Sequence, residues 1–338
     1  MLRDITVSCA PHIGKPVSTR RIMVDVIIAL VPAVVAAGYY FRIRAPILIC
    51  TCVISSVVTE LLCNLIRRKP ISPGDFSAVV TGIILALSLP PGFPVKQAVI
   101  GSCFAIAVGK MVFGGLGANI FNPAMVGRAF LTASFGVLMT TWMVPATIKG
   151  VKMSKIAPEN VVDARTQATP LAWSKLAVKQ KYGANRYSEE NFVATITGEV
   201  GGCLGETCVI ALLIGGLYLL VRGTIGVHIP LAVLLSAFVF AGITYLINSY
   251  AYVQPFFHLT SGGLLLGAFF IATDPVTAPL TVRGKWIYGA GIGTLTMLIR
   301  IFGEYPEGVM YAVLLMNAVT PLIDRFCKPV PAGGKPHA

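Results

Sequence analysis

Charge is what this sequence is short of. Asp, Glu, Lys and Arg make up 12% of its 338 residues, about half the share usual in soluble domains, which excludes an ordinary water-facing surface. Residues 1–19 also lack the apolar core and small-residue cleavage site of a signal peptide, being polar with Pro11 and Pro16. The first apolar run, after Arg20-Arg21, is therefore expected to stay as a membrane span. The eight cysteines contain no CxxC or CxxCH spacing, and five lie in or beside apolar runs, where Cys behaves as a small hydrophobe. That argues against an iron–sulfur or zinc site made by this chain alone. No metal ligand is assigned, although cysteines shared with a partner subunit stay open. A glycine-rich nucleotide fingerprint is missing as well.

What the sequence has in quantity is apolar residues, 55% of the total, and a formal charge of +13. Runs of about twenty apolar residues suffice to cross ~30 Å of hydrocarbon. Ten spans are predicted, at 22–41, 45–66, 77–89, 97–113 and 120–141, then 206–221, 229–247, 259–273, 286–302 and 309–323. The third and eighth are too short to cross as straight helices. The third meets Pro90-Pro91-Gly92-Phe93-Pro94 and the eighth meets Asp274-Pro275, where proline removes a donor and crowds the preceding turn. With the N-terminus in the cytoplasm, Arg20, Arg21, Arg67, Arg68, Lys69, Lys110, Arg222, Arg283, Lys285 and Arg325 fall on the inner side. Arg42, Arg44, Lys96 and Arg300 fall on the outer side. The surplus that would suggest nucleic acid in a soluble protein is thus a topology signal, and no nucleic-acid partner is expected.

The expected fold class is an all-α polytopic membrane protein of about ten transmembrane helices, in two inverted five-helix repeats with broken third helices. The expected organisation is a cytoplasmic segment 1–21, a first repeat 22–141, an extracytoplasmic linker 142–205, a second repeat 206–323 and a cytoplasmic tail 324–338. Residues 82–90 match 267–275 in phase, and the stretch around Lys110 answers the one around Arg300. Each copy has an odd number of spans, so the second must lie inverted. Broken spans in inverted repeats point to a midplane site.

Ionisable residues within lipid are costly and usually functional, which singles out Asp25, Glu60, Arg128, Asp274 and Arg300. Asp25 and Glu60 are also close enough to flanking arginines to reach the interface. Asp274 before Pro275 and Asn122 before Pro123 each suit a helix cap with proline at the first helical position, and such N-termini offer amide donors to an anionic or polarised ligand. The linker holds Asp163-Ala164-Arg165-Thr166-Gln167-Ala168-Thr169-Pro170-Leu171. On spacing alone this is an exposed, hydroxyl-rich turn. A threonine hydroxyl there can accept a phosphoryl group, and the small Ala168 leaves room for an enzyme.

That segment resembles the Asp-x-x-Ser/Thr-Gly-Ala-Thr pattern of flavin transferases, which join FMN through its phosphate to the last threonine. Ser18-Thr19-Arg20-Arg21-Ile22-Met23, the stretch from Gly114 through Asn122-Pro123-Ala124-Met125 to Arg128, and Ala272-Thr273-Asp274-Pro275-Val276-Thr277 resemble the RnfD/NqrB family over nearly the whole chain. RnfD fits better, because the N-terminal extension is short. The resemblance implies covalent FMN on Thr169, with Asp163, Thr166 and Ala168 completing the motif; Gln167 departs from the usual glycine. It also allows riboflavin, and Asn122 and Arg128 are read as contacts for a non-covalent flavin or other ligand. Asp274, Glu60 and Asp25 are the candidate ion pathway. The implied activity is electron relay in a ferredoxin:NAD oxidoreductase coupled to Na⁺ or H⁺ translocation. Its implied partners are the Rnf A, B, C, E and G subunits, a flavin transferase and the bilayer of a prokaryotic inner membrane, with both termini cytoplasmic. An NqrB-like component of a quinone reductase and a non-redox urea-channel-like transporter are the alternatives.

Overall fold

The computed structural model describes residues 18–68, 73–143, 169–172, 174–175, 195–198, 200–206, 208–305 and 307–328. The first half runs α1 (Thr19–Phe41), α2 (Arg44–Ile66), α3 (Ser77–Leu87) and α4 (Val95–Ile106), then α5 (Pro123–Ser134) and a short α6 (Gly136–Met139). A π-helical turn, Ala107–Met111, extends α4. The second half runs α7 (Val209–Val221), α8 (His228–Ile247), α9 (Pro255–Thr260), α10 (Leu264–Leu266), α11 (Val282–Phe302) and α12 (Val309–Phe326). Another π-helical turn, Gly267–Ile271, extends α10.

Four of these helices are long and apolar enough to cross a membrane by length and composition: α1, α2, α8 and α12. Ser18 caps α1 through Arg21 N–H, and Thr281 caps α11 through Gly284 N–H, each satisfying an orphan donor of the first turn. Two predicted spans come apart in the structure. The fifth, 120–141, begins as irregular backbone and turns helical only at the Asn122 cap; Phe135 then separates α5 from α6. The eighth, 259–273, is divided among α9, α10 and the π turn, with Gly262 at φ +70 between α9 and α10.

The burial pattern is that of a bundle in lipid. Ile28, Val31, Val35, Ile54, Val58, Leu62, Leu217, Leu235, Val239 and Leu315 point outward and are exposed, while Glu60, Lys110, Arg128, Glu206, Arg300 and Asn317 are buried. Soluble monomers rarely expose such continuous apolar faces, and intramembrane charges face the bundle interior. Lys110, counted from the sequence among the inner-side charges, is an interior residue at 1% exposure, and Arg300, singled out as an ionisable residue within lipid, is buried at 4%.

The two halves pack alike. In the first, α2 packs on α3 and α4, and α4 on α5; in the second, α8 packs on α9 and α11, and α11 on α12. Between them α1 lies on α7 and α5 on α12. Helix α3, almost entirely buried, runs through the middle, from the bundle end that holds the start of α1 to the end that holds Thr169. Its eleven residues rise about 16 Å at ~1.5 Å each.

Glycine permits the α1–α7 contact. A Cβ on Gly215 would stand 2.0 Å from the Ala29 carbonyl oxygen, whereas one on Gly38 would meet nothing within 4 Å. Gly215→Val is therefore expected to lower the unfolding free energy in detergent by about 1–3 kcal/mol. Gly38→Ala is expected to leave it unchanged or raise it by up to ~1 kcal/mol. Thermal unfolding followed by circular dichroism of the solubilised chain checks both.

Candidate functional site

At the linker end, Thr169 precedes a short helical turn and its Oγ1 accepts Ala172 N–H at 3.1 Å. Pro170 thus occupies the first helical position after a threonine cap, where its missing N–H costs nothing. The sequence suggests an exposed hydroxyl; the structure buries Thr169 to 6% exposure. It places the residue in the wall of a small cavity with Trp142, Thr195, Gly201, Gly202, Glu206, Ser261 and Glu307. Asp163, Thr166 and Ala168 lie outside the described residues.

Two carboxylates meet in this wall. Glu307 accepts from Gly263 N–H at 2.9 Å, from Arg300 Nη2 at 3.1 Å, and from the N–H groups of Gly308 and Val309. Arg300 is held in turn by the carbonyls of His258 (2.7 Å) and Ser261 (3.1 Å). Burial alone would push the Glu307 carboxyl up, but Arg300, Arg128 and the backbone donors hold it below its ordinary value. Glu206 goes the other way. Burial and the neighbouring Glu307 charge push it up, with Arg128 only partly opposing, because the Arg128 Nη2 to Glu206 Oε1 contact is long, at 3.6 Å. Beside them the Cys203 thiol, raised by burial and then by Glu206, stays protonated.

These groups suit a phosphodiester on Thr169. The buried Ser261 hydroxyl has no hydrogen-bond partner among the described residues, and Gly201-Gly202 brings backbone close.

A larger cleft opens at the opposite end between the halves. Asn122 caps α5 by accepting from Ala124 N–H (3.1 Å) and Met125 N–H (3.3 Å), and its amide reaches the Ile271 carbonyl in the second π turn at 3.5 Å. Asn119, three residues earlier, has a buried Oδ1 without a partner among the described residues. On the facing wall Asp274 accepts from Val276 N–H and from the Thr277 hydroxyl, both at 3.3 Å, the turn cap expected of Asp-Pro.

The cleft also reaches Lys110, whose Nζ lies 2.8 Å from Glu60 Oε1 and donates to Ser77 Oγ. Asp25 is fastened outside this group by Thr224 (3.1 Å), Tyr218 and Arg222 (both 3.3 Å). The structure therefore brings Asn122, Asp274 and Lys110, the partner of Glu60, to one cleft, and sends Arg128, on the helix that Asn122 caps, to a cavity at the opposite end. Sequence reading missed Asn119, Lys110, Glu307 and Trp142. Only Asn119 left a local signal, its Asn-x-x-Asn spacing to Asn122.

The family model described as NQR2, RnfD, RnfE family matches residues 6–333. The chain belongs to this family. It is 45% identical over 328 residues (96% of this chain, 94% of the relative) to the D subunit of the Na(+)-translocating ferredoxin:NAD(+) oxidoreductase complex of Acetobacterium woodii. It is 43% identical over 334 residues (97% and 96%) to the D subunit of the proton-translocating ferredoxin:NAD(+) oxidoreductase complex of Clostridium ljungdahlii. It is also 39% identical over 346 residues (96% and 96%) to the D subunit of an ion-translocating oxidoreductase complex of Actinobacillus succinogenes. Both cavities of this NQR2, RnfD, RnfE family member lie within the matched region.

The Lys110–Glu60 pair gives a direct test of the buried electrostatics. Lys110→Met is expected to destabilise the solubilised chain by about 3–5 kcal/mol by depriving the Glu60 carboxylate of the Lys110 cation. Lys110→Met with Glu60→Gln is expected to regain most of that loss. A double-mutant cycle of unfolding free energies measures the coupling.

Proposed function

We propose that this chain is the D subunit of an ion-translocating ferredoxin:NAD⁺ oxidoreductase complex and relays electrons through FMN esterified to Thr169. The observation that carries the reading is that Thr169 lines a cavity together with Ser261, Glu206 and Glu307, in a chain matched nearly end to end by relatives named as D subunits of such complexes. When bound, the flavin would supply the electron-accepting ring; the protein supplies tether, orientation and electrostatics. Thr169 provides the ester oxygen, and Asp163, Thr166 and Ala168 complete the segment a flavin transferase must recognise. Ser261 and the Gly201-Gly202 backbone border the phosphate position.

The cleft at the opposite end is proposed to hold riboflavin without a covalent bond. Asn119 and Asn122 together carry amide donors and acceptors into its walls, and Phe269 and Phe270 add aromatic surface. Helix α3 spans the distance between the two cavities as a packed apolar rod, which suits a relay with a site at each end better than an open channel. The matching helix pairings of the two halves support the inverted-repeat reading. The basic residues flanking α1 and α2 support cytoplasmic termini in a prokaryotic inner membrane. The proposed partners are the A, B, C, E and G subunits, with A, E and G reached through the bilayer. Glu60, Asp274 and Asp25 are the proposed cation partners; one relative is named for Na⁺ and another for protons.

Two measurements test these assignments. Full-length protein produced with its transferase is expected to give a yellow-green fluorescent band on a denaturing gel. Thr169→Val should abolish the band, and its absence from the parent protein would refute the relay. In vesicles carrying the assembled complex, Glu60→Gln and Asp274→Asn are each expected to cut ion uptake per electron transferred. Uptake equal to the parent's in both variants removes these carboxylates from the pathway.

A further inference from the structure

A small pocket at the linker end shares no wall residue with the Thr169 cavity. Its walls include Ser174 and Lys175 from the segment after Thr169, Tyr252 and Val253 from the α8–α9 connection, His258 on α9 and Arg300 on α11. Two of these residues carry buried nitrogen atoms with nothing to bond. His258 and Arg300 are 5% and 4% exposed, and His258 Nδ1 and Arg300 Nε have no hydrogen-bond partner among the described residues. The Arg300 Nη atoms are engaged by the His258 and Ser261 carbonyls and by Glu307, so the Nε edge is the open side of its donor fork. Leaving a buried donor without an acceptor is costly. Lys175 adds a second cation to the wall, and its Nζ donates to the Tyr305 carbonyl, between α11 and α12, at 2.7 Å.

The surroundings indicate what kind of acceptor belongs there. Helix α8 turns Leu235, Val239, Ile243 and Leu246 outward, each at least half exposed. Phe256, 58% exposed, packs edge-on against Phe238 of α8 with ring centroids 5.0 Å apart. Tyr245, Tyr250 and Tyr252 gather in the chain where this apolar face ends, and tyrosine is enriched at the membrane–water interface. The pocket therefore lies where a lipid-facing surface gives way to polar backbone, the depth at which lipid phosphates sit.

We infer that this pocket seats the phosphodiester of a phospholipid from the leaflet on the linker side, with its acyl chains along α8 and Phe256. Arg300 Nε donates to the phosphate oxygens, as does His258 Nδ1 in the tautomer that carries its proton there, and Lys175 supplies a further positive charge. Charge-assisted bonds of this kind are the strong ones, and basic pockets between transmembrane helices suit lipid headgroups. A phosphodiester with tails fits better than free phosphate because apolar surface adjoins the cationic wall. The bound lipid fastens the segment after Thr169 to α9 and α11.

The test uses the full chain purified in detergent and stripped of lipid, comparing the parent with Lys175→Met, His258→Phe and Arg283→Gln. Arg283, exposed at the far end of α11, is the control. Phosphatidylglycerol, diacylglycerol with the same chains and inorganic phosphate are titrated separately, with the thermal unfolding midpoint and native mass spectrometry as readouts. Phosphatidylglycerol is expected to raise the parent's midpoint saturably and to add one lipid per chain; diacylglycerol and inorganic phosphate are expected to leave the midpoint unchanged. Lys175→Met and His258→Phe should each need roughly tenfold more phosphatidylglycerol for half the shift, about the effect of losing one charge-assisted hydrogen bond. Arg283→Gln should respond as the parent does. Should His258→Phe fail to fold, Lys175→Met, a half-buried position, still decides. A parental response in every variant that folds overturns the seat, as does a full shift from inorganic phosphate alone or from diacylglycerol. None of these readouts needs a flavin, so loss of the FMN ester would leave the result standing.

Discussion

Lys110, Arg128 and Arg300 are basic side chains inside a bundle whose outer surface is apolar, and most of the interior arrangement follows from neutralising them. Taking such an ion out of water costs several kcal/mol even after relaxation, and removing its partner strands the charge. Each of the three is met by a carboxylate from another segment: Glu60 on α2, Glu206 just before α7, and Glu307 just before α12. The pairs therefore act as crosslinks as well as neutralisers. Lys110 ties the π turn after α4 to α2 and to the first residue of α3, while Arg300 pins the α9–α10 junction to the start of α12. The pairs differ in quality, and the difference divides structure from chemistry. Lys110 and Arg300 are closely bonded, whereas Arg128 is held loosely beside open space.

The same demand for satisfied polar groups explains the irregular backbone. Non-helical segments at membrane depth are tolerated only where protein or a cavity meets their N–H and C=O groups. Asn122 does this for two segments at once, capping α5 with its oxygen and reaching the Ile271 carbonyl with its amide. π turns often mark functional sites. Here both stand next to the larger cleft, one contributing Lys110 and the other Phe269 and Phe270. The breaks in the helices and the cavities are thus one feature. Where a helix stops short, its unpaired groups and the space it vacates are open to a ligand.

Much of the fold could be read from the sequence because lipid imposes a local rule. A span must be apolar along its own length, so α1, α2, α8 and α12 stand out in the hydropathy of 22–41, 45–66, 229–247 and 309–323 without reference to any neighbour. Caps are local too. Asn122-Pro123 and Asp274-Pro275 announce their turns because the capping oxygen and the donors it accepts lie within three residues. The fifth predicted span misled for the complementary reason: its hydropathy was continuous, but the irregular backbone inside it is stabilised by partners elsewhere in the chain. The eighth, expected to break at Asp274-Pro275, breaks earlier as well, at Gly262.

The order of residues was enough to establish a multi-helix membrane protein of one family, the residues that cap its broken helices, and the threonine to examine. Apolar length, capping chemistry and motif spacing are properties of neighbours in the chain. Folding in three dimensions was needed to make Lys110 an interior cation rather than a loop charge, and to put Glu206 and Glu307 in one wall. It also gathered Trp142 and Tyr311, which lie on either side of α7–α11 in the chain, around one cavity with Arg128. Those relations join residues separated by fifty to well over a hundred positions. The first two arise within one half each; the last crosses between the halves, which pack through α1 on α7 and α5 on α12.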